Sequence, residues 1–224
     1  MDLAYLIRRA ARWFPDGPAV GDSSSTISLA EVVDRGERFA NALDQLGVSP
    51  GATVGILSEN RIEYLEVDVG LALGRRVRVA LNSRLALDDF RFALADCRAE
   101  ALVHSSSFAE EAQTLASELG LEAINLDENY RELIANSSPT AVSREAGIES
   151  PAWISYTSGT TGRPKGVVLS HRAIREVAFN LSVELGPRER SERMVLAQPL
   201  SHGAGYFVLP QLIAGGGVYV MNGF

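Results

Sequence analysis

A chain of 224 residues with 46% hydrophobic content can bury a sizeable core, in one large domain or two small ones, which argues against a disordered chain. Its net charge of −7 offers no footprint for a polyanion, so no nucleic acid partner is expected and any phosphate site must be local. The single cysteine, Cys97, excludes an intrachain disulfide, and no apolar run is long enough for an integral membrane segment; the expected setting is the cytoplasm.

Along the chain, Leu3, Leu6, Ile7 and Ala10 fall on one face of an opening helix. Residues 19–27 read as a short hairpin, and Ser28 with Glu31 makes a capping box that starts a helix ending at Gly47. A buried strand follows at Thr53–Leu57, and Asn60 with Glu63 marks the start of a helix running to about Leu73. Strand signals at 76–81, 101–104 and 122–126 alternate with helical ones at 87–96 and 107–119. Residues 136–150 turn small and polar, the composition of a linker. Beyond it, 152–157 and 167–169 read as strands, Ser170 caps a helix, 194–197 and 218–221 are strands, and 204–214 is a helix interrupted by Pro210. This alternation predicts an α/β fold of mostly parallel sheets flanked by helices, with subdomains at 1–135 and 151–224.

The most informative stretch lies between the strands at 152–157 and 167–169. Gly159, Gly162 and Gly166 allow close backbone approach to a ligand, Thr157, Ser158, Thr160 and Thr161 supply hydroxyls, and Lys165 supplies charge; together they suit a polyphosphate. Lys165 is the only lysine in the chain, all other basic side chains being arginine. An ammonium on a slim stem enters a tight phosphate pocket where a planar guanidinium does not. A Walker-type loop is excluded, because it needs its lysine in Gly-Lys-Ser/Thr leading into a helix. Here Lys165 follows Pro164, and the chain runs on into a strand. A purely structural hairpin would rarely need so many glycines and hydroxyls.

The run from Tyr156 to His171 closely resembles the AMP-binding signature of the adenylate-forming enzymes, which include acyl-CoA synthetases, peptide-synthetase adenylation domains and firefly luciferase. Residues 199–205 (Pro-Leu-Ser-His-Gly-Ala-Gly) resemble that family's second core motif, and 80–84 resemble its upstream Pro-Leu-Asn-x-Arg element, so the likeness covers nearly the whole chain. The resemblance implies the N-terminal subdomains of that fold and an ATP-dependent ligase. A small carboxylic acid, fatty or related, would be activated as its adenylate and passed to coenzyme A, with Mg2+ accompanying the ATP. It also implies that residues 157–162, Lys165 and Gly166 bind nucleotide and that Lys165 and His202 take part in catalysis. His202, Gly203, Ala204, Gly205 and Tyr206 would shape the acyl pocket. The small residues there leave room for a long acyl group. Family members continue well beyond this length, so a C-terminal region of the same protein is expected to complete the site, and the 224 residues alone are expected not to turn over. The alternatives are an adenylation domain with another acceptor and, for the chain alone, a non-catalytic nucleotide-binding module.

The remaining candidates read more plainly. His171 begins a helix, His104 ends a strand, and Cys97 is expected to be a buried, inert thiol. Arg75, Arg76 and Arg78 read as a solvated strand end, although Arg76 and Arg78 intrude where the family is usually apolar. No metal-ligand cluster with recognisable spacing is present, and the metal ligands are not legible.

Overall fold

The computed structural model describes residues 1–141, 147–157, 164–186 and 192–221. Helix α1 (Leu3–Trp13) is capped by Asp2, which accepts from the Tyr5 amide at 2.9 Å, and buries Leu3, Leu6, Ile7 and Ala10. Strands β1 (Pro18–Gly21) and β2 (Thr26–Ser28) form the expected antiparallel hairpin. The capping box closes as its residues dictate: the Ser28 amide donates to Glu31 at 2.7 Å, and the Glu31 amide donates to Ser28 Oγ at 3.2 Å, opening α2 (Leu29–Gln45).

Repeated strand–helix units follow: β3 (Thr53–Leu57), α3 (Ile62–Gly74), β4 (Val77–Ala80), α4 (Leu87–Asp96), β5 (Ala99–His104), α5 (Ala109–Leu119) and β6 (Glu122–Asn125). A short helix, α6 (Tyr130–Ala135), was not read from the sequence; it buries only Tyr130, too little for a periodic signal. The chain then gives β7 (Pro151–Thr157), β8 (Lys165–Ser170), α7 (His171–Leu185), β9 (Arg193–Leu196), α8 (Val208–Ile213) and β10 (Gly217–Val220). The expected break at Pro210 does not occur. A 3-10 turn at Gly203–Phe207 passes into α8 ahead of it, and Pro210 occupies the first turn, where no amide partner is lost.

The larger sheet has the order β6-β5-β3-β4-β7-β8, parallel except for β8, and the smaller has the order β2-β1-β10-β9. Residues 136–150 therefore do not divide the sheets: β7 pairs with β4, and β10 pairs with β1. Alternation along the central strands sends Val54, Ile56 and Val103 into one core with residues of α2 and α3, and Leu57, Val79 and Leu102 into a second with residues of α4 and α5. No helix among the described residues is long and apolar enough to cross a membrane.

The arginines at β4 are not solvated as the sequence suggested. Arg76 is 1% exposed; it pairs with Asp44 and donates to the carbonyls of Ala40, Gly74 and Val48. Arg78 is 4% exposed and pairs with Asp68. Burying a guanidinium is costly unless its charge is paired, and both side chains pair with a carboxylate and also donate to at least one backbone carbonyl. Arg75, in the left-handed conformation after α3, pairs with Asp2 at 2.6 Å and ties that corner to α1.

Helices α2 and α3 approach so closely that a Cβ at Gly70 would lie 2.8 Å from Phe39 Cδ1 and 3.0 Å from the Gly36 carbonyl. We expect Gly70→Val to destabilise the chain by about 2 kcal/mol or more, read as a lower urea midpoint at unchanged slope, because overpacking outweighs any gain in helix propensity. His171, buried at the start of α7, generates a second expectation. Burial holds its imidazole below the usual value, opposed by Asp2 and reinforced by Arg75. The unfolded chain then takes up the proton first, so this contribution to stability is complete above about pH 6.5 and is lost as pH falls toward the folded-state value. Unfolding midpoints measured from pH 8 to 5 should fall less steeply for His171→Gln than for the wild type.

Candidate active site

The glycine- and hydroxyl-rich loop is the tip of an antiparallel hairpin. Thr157, the last residue of β7, pairs with Lys165, the first of β8, and Tyr156 pairs with Gly166. Ser158, Gly159, Thr160, Thr161 and Gly162 lie outside the described residues. Both flanks of the loop are strands, as expected, and Lys165 is exposed at its base. Gly166 has a packing reason of its own: a Cβ there would sit 3.1 Å from Tyr156 Cζ. Tyr156 is fixed in turn by donating to Asp96 at 2.7 Å, and burial together with that bond raises its phenol above the ordinary range. Burial also pushes the nearby Cys97 thiol up to about 11, which leaves it protonated and unreactive at neutral pH.

The chain leaves β4 toward β5 and leaves β7 toward β8, in opposite directions, so a crevice opens at the carboxyl ends of these neighbouring strands. A cavity of about 440 Å³ occupies it. Ala80 to Asn82 come from the end of β4 and Ser155 to Thr157 from the end of β7, with Pro164 at the base of the hairpin. Leu81, Leu85, Phe90 and Ala93 supply apolar wall, and Ser201, His202, Gly203 and Tyr206 come from the segment after β9. Thr157, His202, Gly203 and Tyr206 thus line one cavity, with Lys165 next in the chain to the lining residue Pro164. Ala204 and Gly205 are not on this wall. Both are buried, and a Cβ at Gly205 would lie 2.6 Å from the Leu200 carbonyl, so the smallness of Gly205 lets this turn fold back on itself rather than widening an acyl pocket.

Two side chains that sequence reasoning did not assign hold the His202 segment in place. Asn60 donates to the Gln198 carbonyl at 2.9 Å and accepts from the Leu200 amide at 2.8 Å, bridging the segment like a complementary strand. The expected role of Asn60 as a helix cap is not observed; α3 is preceded by Arg61, with no side-chain cap. Arg78 donates to the Leu200 carbonyl at 3.0 Å and lies over Trp153 with its guanidinium carbon 4.4 Å from the ring centroid. Trp153 packs on Tyr206 at 5.0 Å, and Tyr206 Oη is 3.4 Å from Ser155 Oγ. His104 sits apart, its Nδ1 3.0 Å from the Ser105 carbonyl. Among the described residues, no group of three or more His, Cys, Asp or Glu side chains could hold a metal.

Asn60→Ala strands the buried Leu200 amide and should cost about 1–3 kcal/mol. The diagnostic measurement is amide exchange, which should accelerate at 198–203 well beyond the change over β3 and β5; uniform acceleration would mean that Asn60 does not clamp this segment in particular.

The model of the AMP-binding enzyme family matches residues 7–224. A feruloyl-CoA synthase from Amycolatopsis sp is 35% identical over 220 residues, covering 96% of this chain and 43% of that protein. The inhibitor-bound N-terminal domain of FACL13 from Mycobacterium tuberculosis superposes over 100% of this chain and 57% of its own with a TM-score of 0.90 at 25% identity. The O-succinylbenzoate coenzyme A synthetase MenE from Bacillus subtilis, in complex with AMP, superposes with a TM-score of 0.84 at 27% identity, covering 98% of this chain and 56% of its own. The chain thus spans less than half the length of the curated relative and somewhat over half of the two solved chains. With its hairpin loop, its crevice and nearly its whole length matched, the chain belongs to the family of AMP-binding enzymes.

Proposed function

We propose that the chain is the nucleotide-gripping portion of an ATP-dependent carboxylate–CoA ligase, completed by a C-terminal region of the same protein. The observation that carries this reading is the convergence of two separate motifs on one crevice: the hairpin at 157–165 and the segment bearing His202. In the reaction, a carboxylate oxygen bonds to the α-phosphorus of ATP as pyrophosphate departs, and the CoA sulfur then bonds to the acyl carbon as AMP departs.

The protein's part in the first step is electrostatic. Negative charge grows on the departing pyrophosphate, and preorganised donors stabilise it more than they stabilise the ground state. Lys165, the Thr157 hydroxyl and the hydroxyls and amides of residues 158–162 are the donors we assign. Gly166 allows the hairpin to close beneath them. His202, exposed at the crevice, is assigned to the α-phosphate and carboxylate, with Gly203 and Tyr206 beside the acyl group. A magnesium ion would arrive on the nucleotide phosphates and help neutralise their charge. CoA is favoured as the acceptor by the 35% identity to a feruloyl-CoA synthase.

The full-length protein should exchange labelled pyrophosphate into ATP in the presence of a suitable carboxylic acid. Lys165→Ala should slow that exchange by about 10²–10³ while slowing thioester formation from a supplied acyl-adenylate far less. Equal slowing of both half-reactions would remove Lys165 from the assigned role, and no exchange across a panel of aliphatic, aryl and amino acids would overturn the ligase reading.

A further inference from the structure

We propose that Arg78 is the polar stop of the acyl cavity and selects compact carboxylic acids that carry a hydrogen-bond acceptor remote from the carboxylate, in preference to plain alkyl acids. This rests on the ligase reading and names its substrate class.

The proposal starts from a count of protons. A guanidinium has five N–H donors. The Nε proton of Arg78 goes to Asp68, and the two on Nη2 go to the Tyr64 hydroxyl at 3.2 Å and the Leu200 carbonyl at 3.0 Å. The two on Nη1 have no acceptor among the described residues. The side chain is 4% exposed, yet it forms part of the cavity wall, so water reaches it only through the space a substrate would fill. Asp68 balances the charge, leaving Nη1 as a fixed, dipolar donor rather than a free cation.

The surroundings decide what such a donor meets. Leu81, Leu85, Phe90 and Ala93 suit an aryl or short aliphatic body. The Arg78 guanidinium is held against Trp153, and Trp153 against Tyr206, so it does not swing aside. A further apolar void, lined by Asp68, Val69, Trp153, Gly205 and Leu209 among others, holds only about 40 Å³. Arg78 contacts Asp68, Trp153 and Gly205, and so closes the way between the two spaces. A long alkyl chain entering there would have to displace the ion pair and leave the Nη1 protons without a partner. An acceptor at the end of a compact acid satisfies them instead.

The test uses the full-length ligase and two acids of equal length, 4-acetylcinnamate and 4-ethylcinnamate, which differ by one acceptor oxygen, with octanoate as the plain alkyl probe. Pyrophosphate exchange and calorimetric binding are both read. We expect kcat/KM and affinity for the acetyl acid to exceed those for the ethyl acid by about 10-fold or more. Because Arg78→Met alone leaves Asp68 buried and unpaired, the informative variant is Arg78→Met with Asp68→Leu, in which the acetyl-to-ethyl ratio should fall to about one. The ratio is internal to each protein, so a general loss of folded material does not move it, and the wild-type comparison stands without any variant. A wild-type ratio near one, a preference for octanoate, or a ratio retained in the double variant overturns the role of Arg78 while exchange itself upholds the ligase reading. Absence of exchange with these three acids overturns the role of Arg78, and absence across the wider panel of aliphatic, aryl and amino acids overturns the ligase reading as well.

Discussion

The architecture around the crevice depends on burying a guanidinium without stranding it. Arg78 sits where β4, α3, β7 and the segment after β9 meet, and it bonds to or stacks on a residue from each of the other three: Asp68, Trp153 and the Leu200 carbonyl. Removing any one of these partners leaves a charged or polar group uncompensated in a region with little water, which is far more costly than losing a surface contact. The neighbouring Arg76 is matched in the same way by Asp44 and three carbonyls. Apolar packing gives the sheet its cohesion, but the placement of the His202 segment relative to the hairpin follows from these directional bonds, together with the two that Asn60 makes.

What could be read from the sequence was whatever is decided locally. The Ser28/Glu31 capping box, the buried run at Thr53–Leu57 and the strand-bounded loop before Val167 are settled by neighbours a few residues away, and each is found in place. The failures have a common cause. Asn60 followed by Glu63 matches a helix start, yet its partners lie 138 and 140 residues downstream. An arginine between valines looks solvated until the carboxylate and carbonyls that meet it are assembled by the fold. The polar stretch at 136–150 looks like a boundary because composition says nothing of strand pairing across it. Likewise, the small residues at 203–205 suggested spare volume, whereas Gly205 is small because the Leu200 carbonyl passes against it.

The loop proposed to grip phosphate differs in its setting from one that leads into a helix. A helix N-terminus offers aligned amides and a dipole. A hairpin bounded by Thr157 and Lys165 has no such terminus; these two residues pair across the base of the hairpin at an edge of the sheet. That arrangement leaves the tip tethered at both ends by strand pairing, with Tyr156 and Asp96 bracing one side.

The restriction of the chain to a single lysine has a practical chemical consequence. Lys165 is exposed, so an amine-directed reagent meets, apart from the terminal amine, one side chain only, at the foot of the hairpin. Ordinary acylating dyes or mass tags would therefore mark this position without any engineered handle. Protection from such labelling by an added nucleotide would report directly on occupancy of the crevice.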